Sequence, residues 1–173
     1  MDIYTTVEEK YLQAVEELDL GELPKALQYF NAIIAFDAEY ARAYFQVGKI
    51  YHYHLKDYRA AGYYYKRSIE LDAAFPDAYE PYLELIVTLR MNNLVKPLSE
   101  KALQVPGVNC ALIYKQLGLY AEQQQQFADA YNYFRQAELF NSIQEEQTML
   151  QEHLKRIKTK INSQKTMVYD LQG

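Results

Sequence analysis

Apolar residues recur along this chain at intervals of three, four and seven. Tyr44, Val47, Gly48 and Tyr51 make one such set, Tyr79, Tyr82, Leu83 and Ile86 a second, and Tyr114, Leu117, Gly118 and Ala121 a third. The spacing puts each set on one stripe of an α-helix, and the three sets lie 35 residues apart. A degenerate set, Tyr11, Ala14, Val15 and Leu18, precedes them. A second phrase follows each set. KALQYFNAIIAFD at 25–37, AAGYYYKRSIELD at 60–72 and DAYNYFRQAELFN at 129–141 open on Ala26, Ala61 and Ala130, with Tyr29 and Phe30, Tyr64 and Tyr65, and Tyr133 and Phe134 at matching distances behind. A weaker version runs through NLVKPLSEKALQ, with Ala102 in place and Val95 where the small alanine sits elsewhere. The pattern predicts helix, short turn, helix, repeated, and an all-α chain.

Small residues within these stripes let antiparallel helices approach. Gly48 and Gly118 are expected to face Ala61 and Ala130, with the rings of Tyr65 and Phe134 filling the space beyond. In the tyrosine triplet, Tyr65 is expected to point into its own unit, Tyr64 towards a neighbouring helix and Tyr63 outward. Gly62, inside a predicted helix, costs about 1 kcal/mol relative to alanine, so a neighbour pressed close against it is expected. Pro81 and Pro97 are tolerable if Asp77 and Asn93 are N-caps, since both then fall in a first turn. Pro24 fits the same position, and VPGVN at 105–109 reads as a turn before an Asn109 cap. SIQE at 142–145 reads as a capping box, with Ser142 as cap and Glu145 reaching back. A last helix follows, with a narrow stripe of Leu150, Leu154, Ile157 and Ile161.

A unit of this kind cannot bury both faces of its helix pair and must stack on others. The chain resembles the tetratricopeptide repeat (TPR) family. The signature of aromatic, small residue, aromatic, alanine, aromatic, small residue is carried by Tyr44, Gly48, Tyr51, Ala61, Tyr65 and Ser68. Tyr114, Gly118, Ala121, Ala130, Phe134 and Ala137 carry it again. The resemblance covers about residues 8–142 and implies a right-handed α-α superhelix, a solenoid of four hairpins at about 8–40, 41–75, 76–108 and 109–142. A capping helix at 143–165 and a flexible tail at 166–173 complete the expected layout. The sequence departs from the family pattern in two ways. Ala38, Ala73 and Ser142 replace the prolines that commonly close such repeats, and the HYHLKD turn of the second unit holds one extra residue.

Composition narrows the functional classes. Of 173 residues half are apolar, with six glycines and five prolines, which disfavours disordered and fibrous chains. A net charge of −5 argues against general nucleic-acid binding, because phosphates need a basic surface. No apolar run long enough to span a bilayer occurs, and the start MDIYTTVEEKYLQ lacks a basic head and an apolar segment. The default expectation is a cytoplasmic protein without membrane insertion. Charge is uneven: residues 1–40 are acid-rich, whereas Lys155, Arg156, Lys158, Lys160 and Lys165 make the last 23 residues basic.

Candidate chemistry is sparse. His52 and His54 form an HYH triplet, but at a spacing of two their side chains diverge on a helix and no ligand cluster accompanies them. His153 is expected to be solvated. Cys110, the one cysteine, cannot form an internal disulfide and sits by a helix start. No nucleophile triad, phosphate-binding glycine loop or zinc motif is present, so no enzyme activity, cofactor or metal is expected. QQQQ at 123–126 reads as a solvated turn. Most of the 18 tyrosines fall on stripe positions and read as core.

What remains is the surface that stacking creates. The family resemblance implies that first helices line a concave groove which binds a peptide or a partner helix. A step of about 100° from the buried stripes gives Arg42, Phe45, Gln46, Lys49, His52 and Tyr53 in the second unit. The corresponding positions are Asp77, Glu80, Glu84 and Val87 in the third, then Leu112, Lys115, Gln116 and Leu119 in the fourth. On a plain solvated surface, Lys49 and Glu84 would pair between units. The Lys and Asn set with which some family members grip the C-terminal carboxylate of heat-shock chaperones is not matched, since Leu12 and Glu16 stand there. The expected function is a non-catalytic scaffold or adaptor for another protein. One alternative resembles the TPR chaperones of type III secretion, which usually carry an extra N-terminal helical segment. A second is a homo-oligomer, joined through the acidic first unit and the basic last helix.

Overall fold

The computed structural model describes residues 6–170, with side chains as far as residue 164. Nine α-helices run through the described residues: α1 (Val7–Asp19), α2 (Leu23–Phe36), α3 (Ala41–Lys49), α4 (Tyr58–Leu71), α5 (Tyr79–Thr88), α6 (Asn92–Ala102), α7 (Cys110–Gln123), α8 (Phe127–Phe140) and α9 (Gln144–Asp170). No strand occurs among the described residues. The chain divides into two compact units between Leu85 and Ile86, inside α5. In the first, Tyr11, Ala14, Ala26, Phe30, Ile33, Val47 and Ile50 form a core between α1, α2 and α3. In the second, Ala121, Ala130, Phe134, Leu150, Leu154 and Ile157 join α7, α8 and α9. Helix α9 runs five residues beyond the expected end at 165, and 171–173 of the expected tail lie outside the described residues.

Each hairpin turns on one residue in the left-handed region: Gly21 (φ 82°), Lys56 (φ 56°), Arg90 (φ 56°) and Gln125 (φ 61°). The next amide donates back to the first helix and satisfies one of its orphan carbonyls. Glu22 N reaches Glu17 O at 2.8 Å, Met91 N reaches Ile86 O at 2.9 Å and Gln126 N reaches Ala121 O at 2.9 Å, each five residues back. In the second hairpin Asp57 N reaches Tyr51 O at 3.0 Å, six back. The extra residue is therefore absorbed in the helix, where Ile50–Leu55 winds as a π-helix that continues α3.

These turns fix the register and correct the first unit. Counted back from the left-handed residue, Ala14 occupies the place of Gly48, Leu83 and Gly118, one position before the expected Val15. Lys10 then stands where Tyr44, Tyr79 and Tyr114 stand. Lys10 and Tyr114 behave alike: the Lys10 ammonium lies over the Phe36 ring at 5.6 Å, and Tyr114 stacks on Phe140 at 5.6 Å. Tyr11 moves one place on, into the position of Phe45.

Between hairpins an acidic or amide side chain shapes the loop. Asp37 Oδ1 accepts from Glu39 N, Asp72 Oδ1 from Ala74 N and Asn141 Oδ1 from Ile143 N. Asn141 also donates to Gln147 Oε1, and α9 starts at Gln144, one residue later than a Ser142 cap requires. Asn141 thus organises the turn that the capping box was expected to hold. The hydroxyls of Tyr44 and Tyr79 donate to the carbonyls of Ala38 and Ala73 at 3.2 and 2.7 Å, which explains tyrosine rather than phenylalanine there.

Two expected caps are also corrected. A 3₁₀ turn over Pro76–Ala78 precedes α5, with Phe75 as its cap, so Asp77 lies within the turn. Pro76 sets that start because its ring fixes a helical φ. Pro81 still falls in the first turn of α5. Helix α6 starts at Asn92 after Met91, so Asn93 is inside it and Pro97 sits in the second turn. The Asn93 carbonyl that loses its amide partner there belongs to an exposed residue. Asn109 does cap α7, accepting from Leu112 N at 3.3 Å. Thr6 and Glu9 form a capping box on α1 that the sequence reading missed.

Candidate partner-binding face

In the first unit, α3 and its π-helical continuation present a row spaced by four, three and four: Arg42, Gln46, Lys49 and Tyr53. Arg42 is held from α1. Its guanidinium lies 3.0 Å from Glu8 Oε1 and 4.5 Å over the Tyr11 ring, while the Tyr40 hydroxyl donates to Glu8 Oε2 at 2.5 Å. The Tyr40 hydrogen bond and then Arg42 hold the Glu8 carboxyl below its ordinary pKa. Burial and the same carboxylate push Tyr40 up to about 12.

Gln46 Nε2 donates to the Tyr11 hydroxyl at 3.0 Å, and Gln46 Oε1 is buried with no hydrogen-bond donor on it. The Lys49 ammonium lies 5.5 Å over the Phe45 ring. Tyr53 donates to Glu84 Oε2 at 2.5 Å, so Glu84 takes that hydroxyl where pairing with Lys49 was the plain-surface expectation. Burial, then that carboxylate, raises the Tyr53 pKa.

Not every predicted residue faces outward. Phe45 is 7% exposed, its ring edge-on to Phe75 at 5.2 Å. His52 is 6% exposed and bonds the Tyr65 hydroxyl through Nδ1 at 3.3 Å, and burial lowers its pKa. His52 is buried and His54 exposed, so the two imidazoles do not share a site. Asp77 is exposed, Glu80 half-buried and Val87 buried.

In the second unit Leu112 is half-buried and Gln116 buried. Lys115 pairs with Glu146 of α9 at 3.3 Å, and Leu119 packs on the core that α9 completes. There the last helix already occupies two of the predicted positions. It is pinned further along by Glu122, which takes a two-pronged bond from Arg156 (2.9 and 2.6 Å) and one from Lys160 (2.7 Å). The Arg156 bond, ahead of Lys160, draws the Glu122 pKa down to about 2.

His153 is not solvated as expected. It stacks on Phe134 at 4.8 Å, accepts from Arg156 at Nδ1, and has its pKa lowered by burial. Cys110 is half-buried at the first position of α7. Groups of three or more His, Cys, Asp or Glu able to hold a metal are absent among the described residues.

The pairs the sequence reading missed carry a signal it could have used. Glu8 and Arg42 lie 34 residues apart, as do Glu122 and Arg156. Opposite charges one repeat apart meet across adjacent first helices. The register correction also moves the positions compared with the carboxylate-gripping Lys and Asn to Tyr11 and Val15, which still do not match.

No family model and no curated protein sequence matches this chain. Solved structures do. MamA superposes with a TM-score of 0.68 at 21% identity, covering 78% of this chain and 73% of the other. MamA from Desulfovibrio magneticus RS-1 gives 0.66 at 16% identity, covering 91% and 96%. YrrB, a TPR protein with an unusual peptide-binding site, gives 0.68 at 15% identity, covering 92% of each chain.

Proposed function

Starting from a tetratricopeptide fold, typically a scaffold for protein–protein interaction, we propose that this chain is a non-catalytic adaptor. Its inner face in the first unit grips an extended segment of another protein. The supporting observation is the row Arg42, Gln46, Lys49 and Tyr53 on α3 and its continuation, in which the Lys49 cation stands beside the partly exposed Tyr53 ring. A segment laid along this row meets a cation and an aromatic ring, the kind of anchors that groove recognition uses. The peptide-binding site of YrrB makes a peptide the first occupant to test.

Screening a displayed peptide library against wild-type protein, Lys49→Glu/Tyr53→Ala and the exposed control Lys66→Glu tests this. Selected peptides are expected to bind wild type and the control alike, and the double variant at least about tenfold more weakly, as for loss of one hot-spot contact. Unchanged binding to a folded double variant overturns the reading. For the homo-oligomer alternative, Arg156 and Lys160 are already paired with Glu122 of the same chain, which leaves the exposed Lys155 and Lys158 of α9 to meet an acidic first unit.

A further inference from the structure

The second unit carries a solvent-open pocket of about 480 Å³ between α6, α7 and α8. The repeat explains its presence. Counted from the left-handed turn residue, Ser99 stands where Phe30, Tyr65 and Phe134 stand in the other hairpins, so α6 offers this wall a hydroxymethyl group instead of a ring. Ser99 is buried, and its hydroxyl already donates to the Lys96 carbonyl at 2.9 Å. Glu100 from α6, Tyr120 from α7, and Asp129 and Tyr133 from α8 line the same space. Tyr114 lines it too; all three tyrosines are half-buried and both carboxylates exposed. Lys96, the one base among the lining residues, lies 3.9 Å from Glu100 with 83% of its side chain exposed. It offsets Glu100, so the lining keeps one net negative charge, at Asp129.

We propose that this pocket receives an arginine side chain of a partner polypeptide. The volume suits a side-chain-sized guest, within the roughly 300–1,000 Å³ of binding pockets. Tyrosine faces attract a cation, and a planar guanidinium can lie on a ring while forking onto a carboxylate. An ammonium fits less well because it sheds its hydration less readily, and an acidic guest meets Asp129 and Glu100. The site rests on the adaptor reading only in taking the guest from a polypeptide. It uses none of the inner-face residues.

The experiment titrates N-acetyl-arginine-N′-methylamide, and its neutral citrulline counterpart of equal shape, into the full chain while following tyrosine ring resonances by NMR. Saturable shifts of Tyr120 and Tyr133 are expected with the arginine probe. Citrulline, and Asp129→Asn with arginine, are expected to bind about tenfold more weakly, the loss of one charge-assisted contact. Ser99→Phe, which fills the space, is expected to abolish the shifts. Asp129 is exposed and its substitution leaves the core intact, so the outcome does not hang on how Ser99→Phe packs. Absence of saturable shifts, equal binding of citrulline, or indifference to Asp129→Asn overturns the proposal. The Lys49→Glu/Tyr53→Ala variant is expected to bind the arginine probe normally, which separates this site from the inner face.

Discussion

Gly48, Gly62 and Gly118 are three helical glycines with different surroundings. A Cβ on Gly118 would lie 2.6 Å from Phe134 Cε1, and one on Gly48 would lie 2.7 Å from Tyr65 Cδ1. The ring of the second helix sits directly on the glycine, not beyond an alanine as the sequence suggested. Gly118→Ala should therefore destabilise by about 1–3 kcal/mol through overpacking, read as a lower midpoint in urea. Gly62 is the opposite case. Its nearest neighbour, Leu85 Cδ2, would be 3.8 Å from an added Cβ, an ordinary contact. Gly62→Ala should raise stability by about 0.5–1 kcal/mol, and no such rise would mean that the helix needs this glycine for another reason. Sequence periodicity could say that a small residue was wanted at each place. It could not measure the clearance.

At the scale of helices and turns, the sequence marked almost every element through its stripes. Exact ends depended on local chemistry that stripes do not record. Asn141 displaced Ser142 as organiser of the last turn, and Met91 rather than Asn93 precedes α6, because side-chain hydrogen bonds and left-handed turn residues decide such ends. Three turns place a non-glycine residue at positive φ, where a Cβ crowds the backbone by about 1–2 kcal/mol. Gln125→Gly should recover about 1 kcal/mol, seen as a higher Tm, because Gln125 is exposed and its side chain is not needed for closure. Deleting exposed His54 should convert the π-helical stretch to an ordinary α-helical end closed five residues back, as in the other three hairpins. Amide exchange at Asp57 would report whether that closure forms, and a collapse of the fold would show the π-helix to be required.

Across the molecule, the asymmetry of charge was legible in the sequence but its use was not. The basic residues of α9 looked free to meet another molecule, yet Arg156 and Lys160 hold Glu122 one repeat back. The 34-residue spacing of Glu122 and Arg156 marks that pairing, but the balance of charge between the two ends of the chain does not. The pairing carries a pH signature. Glu122 titrates near 2 in the folded chain against an ordinary 4.5, so its contribution is complete above about pH 4.5 and fades as pH falls towards 2. Glu122→Gln should cost about 1–2 kcal/mol at neutral pH. The gap from wild type should narrow strongly in thermal melts at pH 2.5, and a gap independent of pH would refute the assignment. The predicted inner row survives in the first unit as a candidate, whereas Lys115 and Leu119 are taken up by α9.

The lengthened helix end before Lys56 has an evolutionary implication. Relative to the other hairpins, one extra residue is accommodated without moving the five-residue step from Lys56 to Ala61, the same step that joins Gln125 to Ala130. The hairpins that follow keep their phase, and the irregularity stays on one local patch, where His52 is buried and Tyr53 partly exposed. Architectures of this kind can try out new surfaces by tiny length changes within a helix while the rest of the chain keeps its frame.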